Sequence, residues 1–357
     1  MSFILAFLAF SALIILHEFG HFVAAKWVGM RVERFYLFFP PKLISMKRGE
    51  TEYGIGAIPL GGFVKITGMN PDEELPPEIA ARGYYHQPVW KRIFVIGAGP
   101  AVNLFIAFVL LFFLAFGIQE PSKNVDQVTV GAPAAGKLLA GDRIVSVDGV
   151  RGDQEAIANQ INSHGCPGSG KPVDGCRAAT PAVVIVDRDG QKKTLEITPL
   201  YDGKVERNRL GFAFGVEPLN PGAAEAAGIS LDFMWLVTAK TVSTLSRIWQ
   251  ADERKELSGV AGSYEVTRQA IDIGVRQALT LIALISLSLG VINLFPFLPL
   301  DGGHIFWSIV EKLRGRPVPF AVMERAGLVG FILVIGLFVI GLSNDIGRLT
   351  GEGFNLR

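Results

Sequence analysis

The chain has 357 residues, half of them hydrophobic and 19% charged, with a formal net charge of +1 and a mean hydropathy of +0.37. A near-neutral, apolar chain suggests no nucleic-acid partner, and its composition points to a lipid bilayer as surroundings. The length leaves room for two structural units.

The first predicted element is a span over 3–28. No charged residue occurs from Met1 to Leu16, and beyond His21 only Lys26 interrupts the apolar run. About 20 such residues cross a bilayer as a helix. A cleavable signal peptide is not expected, because the run lacks a basic leading segment and a small-residue cleavage site. Inside this span lies His17-Glu18-Phe19-Gly20-His21. On a helix, positions four apart share one face, so both imidazoles can reach one metal ion with Glu18 beside them as proton acceptor. Ionisable groups at membrane depth are costly and point to function. The bland alternatives are a chance pentapeptide or core histidines bonded to neighbouring helices.

Further spans are predicted over 93–118, 278–300 and 326–344; no charge falls between Arg92 and Glu120 or between Arg276 and Asp301. The segment 31–92 is rich in Lys and Arg, and Lys312, Arg314, Arg316 and Arg325 cluster between the last two spans. Four spans put these loops on one side, which the positive-inside tendency makes cytoplasmic. Both termini and the insert 119–276 then face outward. Cys166 and Cys176 both lie in that insert, where an oxidising compartment permits a disulfide around the Gly/Pro-rich loop 167–175; two free thiols are the alternative.

After the first span, 42–48, 52–58 and 62–66 read as short strands punctuated by Gly49, Pro59 and Gly61. Glycine in a strand often marks close approach of another backbone. One reading is an edge strand, with Gly61, Gly62 and Phe63 contacting an extended substrate by strand addition. The other is an amphipathic hairpin packed on the bundle. A polar linker follows over 70–88. The second span opens with Gly97-Ala98-Gly99-Pro100-Ala101-Val102-Asn103. Pro100 kinks its helix unless it sits near the start, and the small residues allow close packing. Asn103 is a buried amide that either aims a hydrogen bond near the metal or ties helices together.

In the insert, Gly141-Asp142-Arg143-Ile144-Val145-Ser146-Val147-Asp148-Gly149 is followed by a helix over 154–163 and by strands over 182–187 and 193–198 around Asp189-Gly190. This pattern resembles the PDZ domain, which implies peptide capture by strand addition; a purely steric filter is the alternative. The stretch 230–249 is amphipathic and lies along the membrane surface or links the domain to the next span. The third span ends in Asn293-Leu294-Phe295-Pro296-Phe297-Leu298-Pro299-Leu300-Asp301-Gly302-Gly303-His304. Two prolines three residues apart force irregular backbone, tolerated at membrane depth only beside protein or a watery cavity. Asp301 is then a carboxylate on the same side as the two histidines. Two imidazoles, one carboxylate and an open position make a catalytic zinc arrangement. His304 competes as third ligand, and Asp301 as a helix cap is the structural alternative.

Taken together, His17–His21, Gly99-Pro100-x-x-Asn103, the PDZ-like insert, Leu257-Ser258-Gly259 and Asn293-x-x-Pro296-x-x-Pro299-Leu300-Asp301-Gly302-Gly303 resemble the site-2 protease family of intramembrane metalloproteases, most closely the bacterial regulator-of-sigma proteases with a PDZ insert. The resemblance implies Zn2+ held by His17, His21 and Asp301, Glu18 as general base, Asn293 (with Asn103 as a further amide) holding substrate or the developing oxyanion, and a substrate-contacting hairpin. Gly259-Val260-Ala261-Gly262 departs from the family's Gly-Pro-Val-Gly. The expected architecture is a membrane α-helical bundle of four transmembrane helices with a cytoplasmic-side β-hairpin region and an extracytoplasmic α+β PDZ domain. Its expected parts are 1–118 (hairpin region 31–68), a PDZ domain over 119–205, a connecting segment over 206–275, and 276–357. The implied activity is hydrolysis of transmembrane segments of anti-sigma-factor-like regulators or remnant signal peptides in a bacterial inner membrane. A non-proteolytic membrane adaptor binding peptides through the PDZ domain and a metal transporter are the other classes; a transporter would spread polar groups over several spans.

Overall fold

The computed structural model describes residues 1–70, 73–168 and 171–351; positions 71–72 of the polar linker and 169–170 of the cysteine loop lie outside them. Apolar residues uninterrupted by glycine pairs or proline fold as helix α1 (Ser2–Trp27). Two long, bent strands follow, β1 (Val32–Arg48) and β2 (Thr51–Ile66). Their register makes four paired segments out of the two strands. The segment 32–37 pairs on one side with 62–66 and on the other with 52–55, while 42–48 pairs with 51–56. Sequence reading anticipates three of these segments. The fourth, Val32 to Leu37, belongs to an aromatic run without strict alternation, yet it occupies the centre of the sheet. A short helix, α2 (Pro77–Ala80), leads to α3 (Val89–Ala115), which carries Pro100 in its interior rather than near its start.

The chain divides into two compact units, Phe116–Pro221 and the remainder. The inserted unit is built from β3 (Gln119–Val128), β4 (Arg143–Val147), α4 (Gln154–Asn162), β5 (Ala182–Arg188), β6 (Gln191–Ile197), β7 (Leu200–Asp202), β8 (Arg207–Arg209) and β9 (Phe212–Pro218). Five strands form one sheet in the order β6-β5-β4-β3-β9, and β7 pairs with β8. Val125, Ile144, Val184 and Val186 from the sheet bury against Ile157 and Ile161 of α4. The Asp153 carboxylate caps α4 by accepting from Ala156 N–H at 2.9 Å. Both aspartates of the Gly141–Gly149 motif are anchors. Asp142, 1% exposed, accepts from Arg188 at 2.6 and 2.7 Å, and the guanidinium holds its carboxyl below the usual carboxylate range. Asp148 accepts from Val183 N–H at 2.8 Å. Cys166 and Cys176 are joined as a disulfide. Strands β8 and β9 fall within 206–275, which sequence reading takes as a connector; β9 belongs to the sheet because it pairs with the long β3.

The remainder continues with α5 (Ala223–Ser246), α6 (Ala251–Glu256), α7 (Val260–Ile273), α8 (Val275–Asn293), α9 (Asp301–Arg314) and α10 (Phe320–Thr350). Helix α5 packs against α3 and α8. Among the described residues α1, α3, α8 and α10 are long and apolar enough to cross a bilayer. Their outward faces remain apolar, with Leu328, Val329, Phe331 and Ile332 of α10 all exposed. Such faces are stable only in lipid, so this is a membrane protein with a helical bundle and β-sheet parts. The Leu257-Ser258-Gly259 motif starts α7: Ser258 Oγ and the backbone N–H groups of Gly259 and Gly262 donate to the fully buried Asp345 of α10. The proline-rich segment 294–300 is irregular, as expected, and α9 begins at Asp301.

Candidate metal centre and active site

Helical period places His17 and His21 one turn apart on the inward face of α1, each 7% exposed. Asp301 reaches them from the first turn of α9. The segment 294–300 folds so tightly onto that turn that a Cβ on Gly302 would overlap the Leu294 carbonyl. Asp301 Oδ2 lies 3.1 Å from His17 Nε2 and 3.3 Å from His21 Nε2, and the two Nε2 atoms are 3.2 Å apart. His21 Nδ1 lies 2.9 Å from the Val95 carbonyl of α3. A carbonyl only accepts, so Nδ1 carries the hydrogen and Nε2 presents its lone pair to the triangle.

Two imidazole nitrogens and a carboxylate oxygen thus face one another in a largely buried spot. Tetrahedral zinc with donors at about 2.0–2.2 Å needs them roughly 3.3–3.6 Å apart, slightly wider than the triangle observed. The donor types and spacing fit zinc, and among the described residues no other His, Cys, Asp or Glu joins this group. His304, the competing candidate, lies outside it.

Helix α3 makes the centre possible by coming very close. A Cβ on Gly99 would overlap His21 Nε2 and sit 2.9 Å from His17 Nε2. Sequence reading credits Gly99 only with general helix packing and does not find Val95, because a backbone acceptor leaves no mark in the side-chain pattern. Glu18, next to His17, lies against the sheet: a Cβ on Gly62 would stand 3.2 Å from Glu18 Cγ and 3.0 Å from the Tyr36 carbonyl. The segment 62–66 pairs on one side with β1 and has no strand on its other edge among the described residues.

The remaining candidates are less directly engaged. Gly61 and Phe63 contact Phe39, and Phe63 also packs on Tyr36, within the sheet rather than at the donor triangle. Asn103 is fully buried one turn beyond Gly99, and its side-chain amide has no partner among the described residues. Its carbonyl accepts from Ser286 Oγ at 2.8 Å, so its backbone ties α3 to α8. Asn293 Nδ2 donates to the Leu289 carbonyl within α8.

Bilayer-length helices and a buried three-donor set define a membrane protein with a candidate transition-metal centre. The family model for peptidase family M50 matches residues 5–337. The zinc metalloprotease Rip1 of Mycobacterium bovis (strain BCG / Pasteur 1173P2) is 31% identical over 386 residues, covering 93% of each chain. Rip1 of Mycobacterium tuberculosis (strain ATCC 35801 / TMC 107 / Erdman) is 31% identical over 382 residues, again 93% of each. A Brucella suis biovar 1 (strain 1330) chain whose name also contains the words zinc metalloprotease is 31% identical over 363 residues, 94% of this chain and 92% of that one. The chain belongs to peptidase family M50, the site-2 protease family, and is a zinc-dependent metalloprotease.

Proposed function

We propose that this enzyme cuts peptide bonds within transmembrane segments of membrane-anchored regulators, such as anti-sigma factors, or of remnant signal peptides. The observation that carries the reading is the convergence of His17, His21 and Asp301 at a helix long enough to span the bilayer, beside Glu18 and an open sheet edge. His17, His21 and Asp301 hold the zinc, which when bound supplies Lewis-acid activation of water and of the scissile carbonyl. Glu18 accepts the proton of the attacking water and delivers it to the leaving amine. The edge at 62–66 holds the substrate extended, replacing the backbone hydrogen bonds lost when its helix unwinds. Asn293, only partly buried at the end of α8, supplies an amide toward the substrate, and the buried Asn103 ties α3 to α8.

In this reading the membrane is a bacterial inner membrane, the hairpin region and the catalytic end of α1 lie toward the cytoplasm, and the inserted unit is an extracytoplasmic PDZ module that binds peptide or filters by size. The basic residues of 31–92 and 312–325 support that orientation. The hairpin tip supports burial in lipid, with Leu43, Ile44 and Met46 each about two-thirds exposed.

The test combines metal analysis of purified protein with cleavage of a helical membrane peptide. Wild type should bind one zinc and cut; Asp301→Ala should lose both. Full zinc occupancy in Asp301→Ala would hand the third-ligand role to another group, His304 first. Gly62→Ala should retain zinc yet cut roughly tenfold more slowly, because the added methyl presses on Glu18 and on the substrate edge. An unchanged initial rate would confine the sheet to packing.

A further inference from the structure

The two parts of the donor set come from helices far apart in the chain, and α3 touches both. Arg92, Val95 and Gly99 stand at i, i+3 and i+7, on one face of α3. Val95 holds His21, and Gly99 seats both imidazoles of α1. Arg92, only 2% exposed, donates from Nη1 and Nη2 to the two oxygens of Glu311 on α9 at 2.9 and 2.5 Å. The Tyr85 ring stacks on the guanidinium, with its centroid 5.4 Å from Cζ. Glu311 lies ten residues beyond Asp301 on the same helix, roughly 15 Å along its axis.

We infer that the Arg92–Glu311 pair is a positioning device for the third zinc ligand: it fixes the axial and rotational setting of α9 on the face of α3 that also orients His21. The inference rests on the proposed role of Asp301. The irregular segment 294–300 packs on the first turn of α9, and the Arg92–Glu311 pair holds the same helix about ten residues further along. A bidentate guanidinium–carboxylate pair sets direction as well as distance, and a lysine in its place keeps the charge without the fork. Arg92 is buried and the Glu311 side chain is only about a fifth exposed, so water competes weakly for the guanidinium, and removing either partner strands a charge.

The experiment uses full-length protein in detergent with three variants, Arg92→Lys, Glu311→Asp and Asp301→Ala. Zinc retention is followed against a chelator, and the visible spectrum of the cobalt-substituted protein reports ligand geometry. Arg92→Lys and Glu311→Asp keep both charges, and each should lose zinc at least about tenfold faster than wild type, in the range of outer-shell effects, with an altered cobalt spectrum. Glu311→Asp moves the carboxylate by one methylene only, so it carries the test if Arg92→Lys does not accumulate. Wild-type zinc retention and an unaltered cobalt spectrum in these variants would overturn the inference. Unimpaired zinc binding by Asp301→Ala would instead overturn the ligand assignment on which it stands.

Discussion

Glu18→Gln is expected to retain one zinc per chain and to lose peptide hydrolysis by about 10²–10⁴-fold. Glutamine has the shape of glutamate, so its methylenes still pack against Gly62 and neither imidazole is disturbed. What it lacks is a group that takes a proton from water and gives it up again. Metal analysis and initial rates on a membrane peptide separate the two properties. Cleavage at the wild-type rate by zinc-loaded Glu18→Gln would remove Glu18 from the proton path and leave the adjacent carboxylate a packing role.

Gly99→Ala is expected to abolish tight zinc binding, weakening it at least about 100-fold, the upper end of what outer-shell changes cause. The new methyl has no room beside His21 Nε2. Relief requires α3 and α1 to separate, which pulls His21 Nδ1 from the Val95 carbonyl and frees the ring to rotate. Gly97→Ala is the matched control, because its nearest neighbour would be Ile305 Cδ1 at 3.9 Å. Chelator competition on the two proteins should separate them clearly. Equal zinc affinities would mean that the helices part without cost to the donor triangle.

How much of this was legible in the sequence depends on whether a signal is local. The sharing of one helix face by His17 and His21 follows from helical period, and the four apolar runs are visible from composition. The break before Asp301 follows from two prolines. By contrast, Val95 acts through its carbonyl and Arg92 through a partner more than two hundred residues away, and neither leaves a local pattern. Gly99 stands in a small-residue stretch whose bland reading is helix packing; only the position of the imidazoles shows why a hydrogen is required there. The central strand beginning at Val32 escaped because its aromatic run lacks the alternation that marks half-buried strands. The apolar pattern of 230–249 is readable, whereas the packing of α5 against α3 and α8 is a tertiary choice that leaves no local mark.

The short free edge beside Glu18 also sets a length scale. Residues 62–66 offer about 17 Å of backbone at strand spacing, whereas the same number of residues in a helix occupies only about 7.5 Å. Under the proposed reading, a client segment docking there must stretch locally by roughly 9 Å, which melts little more than one turn. The barrier to cutting is then the stiffness of that single turn, so glycine, proline or β-branched residues around the bond should govern which clients are processed, even among segments of equal overall greasiness.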